Sequence, residues 1–213
     1  MPATPEVRIE FSPLIYRTIA TRLFSCDKPA ISLLSPSTAR EKAEQYRVAW
    51  KRHQSKLLTG MCALFDLTFY KPVIDVYLSP WVPNISDPIL ISLRAEPDEF
   101  VDILTHELIH VLVTDNTCYP RDSVGTILDQ LYPSVDRVTR DHILVYAGLK
   151  YIYLSVMREP RRLDRDIAYC RADVNHLAAW DYVNARDHLI VIDEFKRRYR
   201  IMDSAPSPHS DVH

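Results

Sequence analysis

The chain contains only 3 glycines in 213 residues, and this shortage excludes several common kinds of binding site. A glycine-rich phosphate loop and a dinucleotide-binding fingerprint both need glycines at fixed positions. The sequence therefore excludes the enzyme classes that depend on either motif.

Cysteine is also scarce: the four cysteines, at positions 26, 62, 118 and 170, lie far apart and form no CxxC pair. This spacing is typical of neither a zinc ribbon nor a dense disulfide framework. Charged residues interrupt the first ten positions, which argues against a secretory signal. The most apolar run, Ile143 to Met157, is 15 residues long and contains Lys150, so it is too short and too charged to span a bilayer. These absences predict a reduced, cytoplasmic protein without a membrane partner.

The chain also has almost no net charge, since its formal net charge is only −2. Such a balance argues against the electrostatic footprint of a nucleic-acid-binding protein, so no nucleic-acid partner is predicted. The basic runs 158–165 and 196–200 are interpreted as solvated helix ends. A hydrophobic content of 47% is ordinary for a globular protein, and the length suits one domain with a sizeable core.

Apolar periodicity and cap residues predict a mixture of helices and short strands. Strands are predicted at Leu67–Tyr70, Val73–Leu78 and Ile89–Leu93. Helices are predicted at 14–23, 38–58, 97–115, 123–131, 135–157, 172–183 and 188–199. Thr38 and Glu41 would form a capping box for the second helix, and Gly60 would end it. We expect an α+β fold with one domain over residues 1–202, followed by a disordered polar tail over 203–213.

The segment 100–116 contains the sequence His106-Glu107-Leu108-Ile109-His110 within an otherwise apolar helix. Two histidines four residues apart lie on one helical face and can hold the same metal ion. Glu107 lies one position round the helix, where it can reach a water molecule without joining the ligand set. Such an apolar helix is buried, and its polar side chains need compensation that Zn²⁺ would provide.

In these three residues the chain resembles the zincin metallopeptidases, which share the HExxH helix. The resemblance covers roughly residues 65–155 and extends to the order of strands before the helix. It implies a zincin-like domain with a small mixed sheet, an edge strand that pairs with an extended substrate, and a peptide or protein as substrate. Glu107 would act as general base for the water molecule that attacks the peptide bond.

A third metal ligand is needed, and several residue types could supply it. The compact metzincin pattern HExxHxxGxxH fails, because positions 113 and 116 are valine and asparagine. Glutamates occur after the motif only at 159 and 194, and Glu159 stands at a helix end beside Pro160. The flanks of Cys62 do not match the cysteine motif of peptide deformylases. Aspartates remain possible at 115, 122, 129, 136 and 141, with Asp129 as the best of them.

His142 is the predicted third ligand because it lies in the apolar stripe of the helix predicted at 135–157. Tyr146, one turn later, is a candidate donor to the oxyanion of the transition state, although a purely structural core tyrosine is the preferred interpretation. Of the remaining histidines within the domain, His53 is predicted to be a surface or rim residue, and His176 and His188 are predicted to be structural or exposed.

Together these residues predict a zinc-dependent metallopeptidase with Glu107 as its catalytic residue and with zinc on His106, His110 and His142. Two alternatives remain open: a non-catalytic zinc-stabilised binding protein, and a zinc hydrolase of a non-peptide bond. Glu107 favours catalysis, since a structural zinc site usually fills its fourth position with another protein ligand.

Overall fold

The computed structural model describes residues 4–24, 34–80, 84–116 and 123–203. Within these ranges, eight α-helices accompany one four-stranded mixed sheet, so the fold class is α+β as predicted. The tail predicted to be disordered lies outside the described residues from position 204 onward. No helix in the described ranges combines the length and the apolar character needed to cross a membrane.

The sheet consists of β1 (Glu6–Glu10), β2 (Val73–Ser79), β3 (Ile85–Ser86) and β4 (Ile89–Ser92). Its spatial order is β1-β2-β4-β3, with the first three strands parallel and β3 antiparallel at the edge. The strands predicted at Val73–Leu78 and Ile89–Leu93 are thus confirmed as β2 and β4. The sequence analysis missed β1, although its alternation of charged and apolar residues has the period of two expected for a half-exposed strand.

The strand predicted at Leu67–Tyr70 is wrong. This segment follows directly from a helix end, because the Leu67 N–H still bonds to the Cys62 carbonyl oxygen. It then passes the end of another helix and forms only one isolated bridge, between Phe69 and Asn116. Leu67 and Phe69 are buried at this helix junction, whereas Tyr70 is exposed, and the segment does not extend the sheet.

The helices are α1 (Pro13–Phe24), α2 (Pro36–Phe65), α3 (Pro97–Thr114), α4 (Ser123–Leu131), α5 (Arg137–Tyr151), α6 (Pro160–Cys170), α7 (Val174–Ala185) and α8 (His188–Asp203). A π-helical segment, Ile152–Met157, continues α5. All seven predicted helices are present, and α4 has the predicted bounds. The sequence analysis missed α6.

The second helix differs from its prediction at both ends. Its N-cap is Ser35, whose hydroxyl accepts a hydrogen bond from the Thr38 N–H, so the predicted Thr38–Glu41 capping box is wrong. Gly60 does not end α2, which continues to Phe65. The C-cap residue Asp66 then adopts a left-handed backbone conformation (φ 57°). A Cβ at Gly60 would lie 2.9 Å from a methyl group of Val156, so the glycine permits close helix packing instead.

A buried arginine on α6 fixes the start of α3. Arg162 is 4% exposed and donates to Asp102 at 2.6 Å, to Glu159 at 2.7 Å and to the Asp98 carboxylate. Asp98 and Asp102 lie on the first two turns of α3, and Asp102 precedes the motif histidine His106 by one turn. The interpretation of residues 158–165 as a solvated helix end is therefore wrong for Arg162, which is buried and pairs with three carboxylates, of which Asp102 is also buried.

The central helix α3 packs against α2, α5 and the sheet edge formed by β3 and β4. Phe100 stacks on Tyr46 of α2 with ring centroids 4.1 Å apart, and the apolar face of α3 is buried throughout. Gly148 permits the close approach of α5, because a Cβ there would lie 2.9 Å from Phe65 and 3.2 Å from Ile109. This contact brings the middle of α5 against the HExxH helix.

Candidate metal centre

Three histidines converge where α3 meets α5. His106 and His110 come from α3 and His142 from α5, and their candidate ligand atoms all lie within 4.8 Å of one another. The Nε2 atoms of His106 and His110 are 3.2 Å apart. Among the described residues, no other group of three or more histidines, cysteines or carboxylates meets this criterion. The structure thus brings together the three residues predicted as metal ligands.

A backbone hydrogen bond orients His142. Its Nδ1 lies 2.7 Å from the Val138 carbonyl oxygen one turn earlier, and that oxygen can only accept, so Nδ1 carries the proton. Nε2 is then the unprotonated nitrogen with a free lone pair. Histidines that bind metals commonly donate their second N–H to a carbonyl oxygen in this way.

Burial keeps the three imidazoles neutral. It lowers the pKa of His110 to about 3 and that of His142 to about 4, and it lowers the pKa of His106 well below its usual value. The neighbouring histidines add to these shifts, because a second positive charge nearby is unfavourable. At neutral pH all three side chains are in the form that binds a metal ion.

The donor set fits Zn²⁺. Catalytic zinc sites commonly have three protein ligands and keep one position for water, and three neutral imidazoles satisfy this pattern. Buried nitrogen donors suit zinc far better than magnesium or calcium, which prefer oxygen ligands.

Glu107 is buried beside the histidine-bearing face of α3 without a protein partner. It is 5% exposed and has no hydrogen bond or ion pair with any described residue. Burial raises the pKa of its carboxyl group to about 8. Burying a charged carboxyl group without a partner is unfavourable, so burial favours its protonated form.

The alternative third ligands lie outside the three-histidine group and have other partners. Asp129, the runner-up, is exposed and pairs with Arg140 of α5. The other candidate carboxylates within the described residues also have partners. Asp115 pairs with Lys71, Asp136 accepts from the Val138 N–H, Asp141 pairs with Arg137, Glu159 with Arg162 and Glu194 with Arg186. Cys62 is half-buried on α2, and Asp122 lies outside the described residues.

Tyr146 has a structural environment, in line with the preferred interpretation. Its hydroxyl group hydrogen-bonds to Nδ1 of His176 and lies 3.2 Å from Sγ of Cys170, while its ring stacks on Trp180. Burial raises the pKa of Tyr146 well above its usual value, so the hydroxyl stays protonated. Because two partners already occupy the hydroxyl, it is poorly placed to serve the substrate directly.

His176 is the residue that the sequence analysis missed. Predicted to be structural or exposed, it lies on α7 with its ring centroid 4.1 Å from that of His142. Nothing in the sequence spacing links the two residues, because the packing of α7 on α5 creates the contact.

A groove of about 310 Å³ runs beside α3 toward the sheet edge. Its α3 side includes Val111 and Thr114, which follow Glu107 by four and seven residues and therefore share its helical stripe. Its opposite side includes residues 86–89, where β3 turns into β4. The sheet thus lies beside the HExxH helix as predicted. On the side of the sheet next to α3 the edge strand is β3, whereas β4 is an inner strand.

Comparisons with protein-family models, with curated proteins and with solved structures found no match to this chain.

We predict that His142→Ala weakens zinc binding by more than about 100-fold. Removing a residue that only hydrogen-bonds to a metal ligand already lowers metal affinity by about 10–100-fold, and removing the ligand itself should cost more. Calorimetric titration of the metal-free protein with zinc measures this, and the zinc-induced rise in melting temperature should disappear. His188→Ala, on α8 outside the three-histidine group, is the matched control and should bind normally. Normal zinc affinity in His142→Ala would exclude His142 and make Asp129→Ala the next variant to test.

A second prediction concerns the metal-free protein. The pKa of Glu107 is raised to about 8, so between pH 4.5 and 8 the folded state holds a proton that the unfolded state has lost. Folding stability should therefore fall as pH rises through this range, by up to about 1.4 kcal/mol per pH unit. Glu107→Gln removes this contribution and should flatten the decline.

Urea unfolding in the presence of a chelator at several pH values tests this prediction. Glu41→Gln, an exposed position on α2, is the control and should follow the wild-type curve. If the unfolding free energies of Glu107→Gln and the wild type changed with pH in parallel, Glu107 would have a normal pKa in the folded protein.

Proposed function

We propose that this chain is a zinc-dependent metallopeptidase with a zincin-like domain. His106, His110 and His142 hold the metal, and Glu107 is the general base. The observation that supports the proposal most strongly is the combination of three neutral, converging imidazoles with a buried carboxyl group that has no protein partner. A site that served stability alone would gain nothing from Glu107, since burying an unpartnered carboxyl group is unfavourable.

Bound zinc would supply a Lewis acid that polarises the scissile carbonyl group and makes a water molecule acidic near neutral pH. Beside that dication Glu107 is ionised, because a nearby positive charge lowers the pKa of an acid. The carboxylate takes a proton from the attacking water and passes it to the leaving amine. Nδ1 of His142 stays bound to the Val138 carbonyl oxygen throughout, which keeps this ligand in one orientation.

The groove supports an extended chain as the substrate. It is lined by Val111 and Thr114 near the end of α3, by residues of β2 and by the β3–β4 turn. β3 is a short antiparallel edge strand, and an exposed edge can pair with an extended peptide through backbone hydrogen bonds.

Glu107→Gln should retain one zinc ion per chain and lose hydrolysis by about 10²–10⁴-fold, because glutamine cannot accept the proton from water. Elemental analysis of the purified variant, beside turnover of fluorescently labelled denatured casein, measures both quantities. Glu41→Gln is the control and should cleave at the wild-type rate.

The outcomes separate the proposed function from its alternatives. Unchanged turnover in zinc-loaded Glu107→Gln would remove Glu107 from the mechanism. Zinc-loaded wild-type protein that cleaves no peptide, yet is stabilised by the metal, would favour the non-catalytic alternative.

A further inference from the structure

The ring of Tyr146 lies against two of the three candidate metal ligands. Its centroid is 5.6 Å from that of His106 on α3 and 5.7 Å from that of His142 on α5. The Tyr146 side chain is 1% exposed, and both separations are in the range of favourable aromatic contacts. One buried ring therefore contacts candidate ligands from both helices of the site.

His106 lacks the polar partner that usually orients a metal-binding histidine. Such ligands commonly donate their second N–H to a carbonyl oxygen or a carboxylate, and His142 has this bond to the Val138 carbonyl oxygen. With the described residues, the His106 ring forms one hydrogen bond, and its partner there is the ring of His110. An imidazole ring turns easily about its last side-chain bond, because that torsion has broad energy minima. The orientation of His106 therefore depends on packing.

Tyr146 provides that packing from outside the ligand set. The His106 ring contacts those of His110 and His142, with centroids 5.0 Å and 5.4 Å away, but both residues are candidate ligands themselves. Among the described residues, Tyr146 is the one further aromatic side chain in ring contact with His106. It can therefore hold the imidazole in place before a metal ion binds.

The Tyr146 ring is itself held by α6 and α7. It stacks on Trp180 with centroids 4.5 Å apart and ring planes 15° from parallel. Trp180 is fully buried, and its indole N–H donates to Oδ1 of Asp166 at 3.1 Å. The hydroxyl group at the far end of Tyr146 contacts Cys170 and His176. The ring is therefore fixed both on its face and at its end.

We propose that Tyr146 is a positioning residue whose ring orients His106 and His142 for metal binding, and that Trp180 holds this ring in place. The proposal rests on the zinc site of the proposed function. It concerns the aromatic ring, so it does not depend on which atom donates in the hydrogen bonds of the hydroxyl group. Without the ring, both imidazoles gain room to turn, and metal binding has to order them.

The competing explanation is a tyrosine that only fills space in the core. Its removal would then lower the melting temperature, as the loss of any large buried side chain does. It would leave the affinity for zinc and the geometry of the bound metal unchanged. The two explanations therefore differ in what they predict for the metal.

The experiment compares Tyr146→Leu, Tyr146→Phe and Trp180→Leu with the wild type. Phe195→Leu is the control, since Phe195 is fully buried on α8, which also packs against α5, and its described ring contact is with Tyr199. Calorimetric titration measures zinc affinity, and thermal unfolding measures stability. The visible absorption spectrum of the protein loaded with Co²⁺ reports the geometry of the ligands around the metal. None of these measurements depends on peptidase activity.

We expect Tyr146→Leu to bind zinc about 10–100-fold more weakly, as when an outer partner of a metal ligand is lost, and to have an altered Co²⁺ spectrum. Tyr146→Phe keeps the ring and should match the wild type in both respects. Trp180→Leu should change both in the same direction as Tyr146→Leu but by less. Phe195→Leu should melt at a lower temperature and keep the wild-type zinc affinity and Co²⁺ spectrum.

Wild-type zinc affinity and an unchanged Co²⁺ spectrum in Tyr146→Leu would overturn the proposal. If Tyr146→Phe lost as much affinity as Tyr146→Leu, the hydroxyl group and not the ring would be responsible. Equal losses in Phe195→Leu would show that any core cavity has this effect, which also contradicts a positioning role.

Two further outcomes complete the test. If Tyr146→Leu does not fold, Trp180→Leu decides, and an unchanged Co²⁺ spectrum in that variant overturns the proposal. If the wild type binds no zinc, the proposed function fails together with this inference. If the wild type binds zinc and Tyr146→Leu binds it equally well, only this inference fails.

Discussion

Three half-buried imidazoles and one buried carboxyl group lie among the apolar side chains around α3, and the surrounding fold has to accommodate all four. Removing such groups from water is unfavourable unless they find partners or lose their charge. The histidines respond by remaining neutral, as the low pKa values of His110 and His142 indicate, and Glu107 responds by holding its proton. A metal ion bound by the imidazoles would compensate all four groups at once, so folding and metal binding are expected to be coupled.

Contacts in the surrounding fold position the helices of this interface. Gly148 lets α5 approach α3 closely enough for His142 to meet the two motif histidines. Arg162 holds the first two turns of α3 through the Asp98 and Asp102 carboxylates, one turn before His106. A metal site requires accurately positioned ligands, and closely packed helices provide such positions. The network around Tyr146 extends the same support to α7 and its His176.

The sequence predicted the parts of the site that depend on local periodicity. His106, Glu107 and His110 follow from helical spacing, and His142 follows from its place in a second apolar stripe that had to pack somewhere. His176 depends instead on the packing of α7 against α5, which no spacing along the chain reveals. The prediction for Arg162 was wrong for a related reason, because a basic run has the composition of a solvated surface and only the packing of α6 shows that Arg162 is buried against Asp102. The aromatic segment at 67–70 has strand-forming residues, yet the adjoining helix end determines its conformation.

The central claim is that one metal ion binds the three imidazoles and keeps one position free of protein ligands. Anomalous diffraction at the zinc absorption edge, from crystals of the zinc-loaded protein, tests it most directly. We expect one strong peak about 2.0–2.1 Å from a ring nitrogen of each of His106, His110 and His142, with a non-protein ligand in the fourth position. A peak elsewhere in the molecule, or a fourth protein side chain bound to the metal, would contradict it.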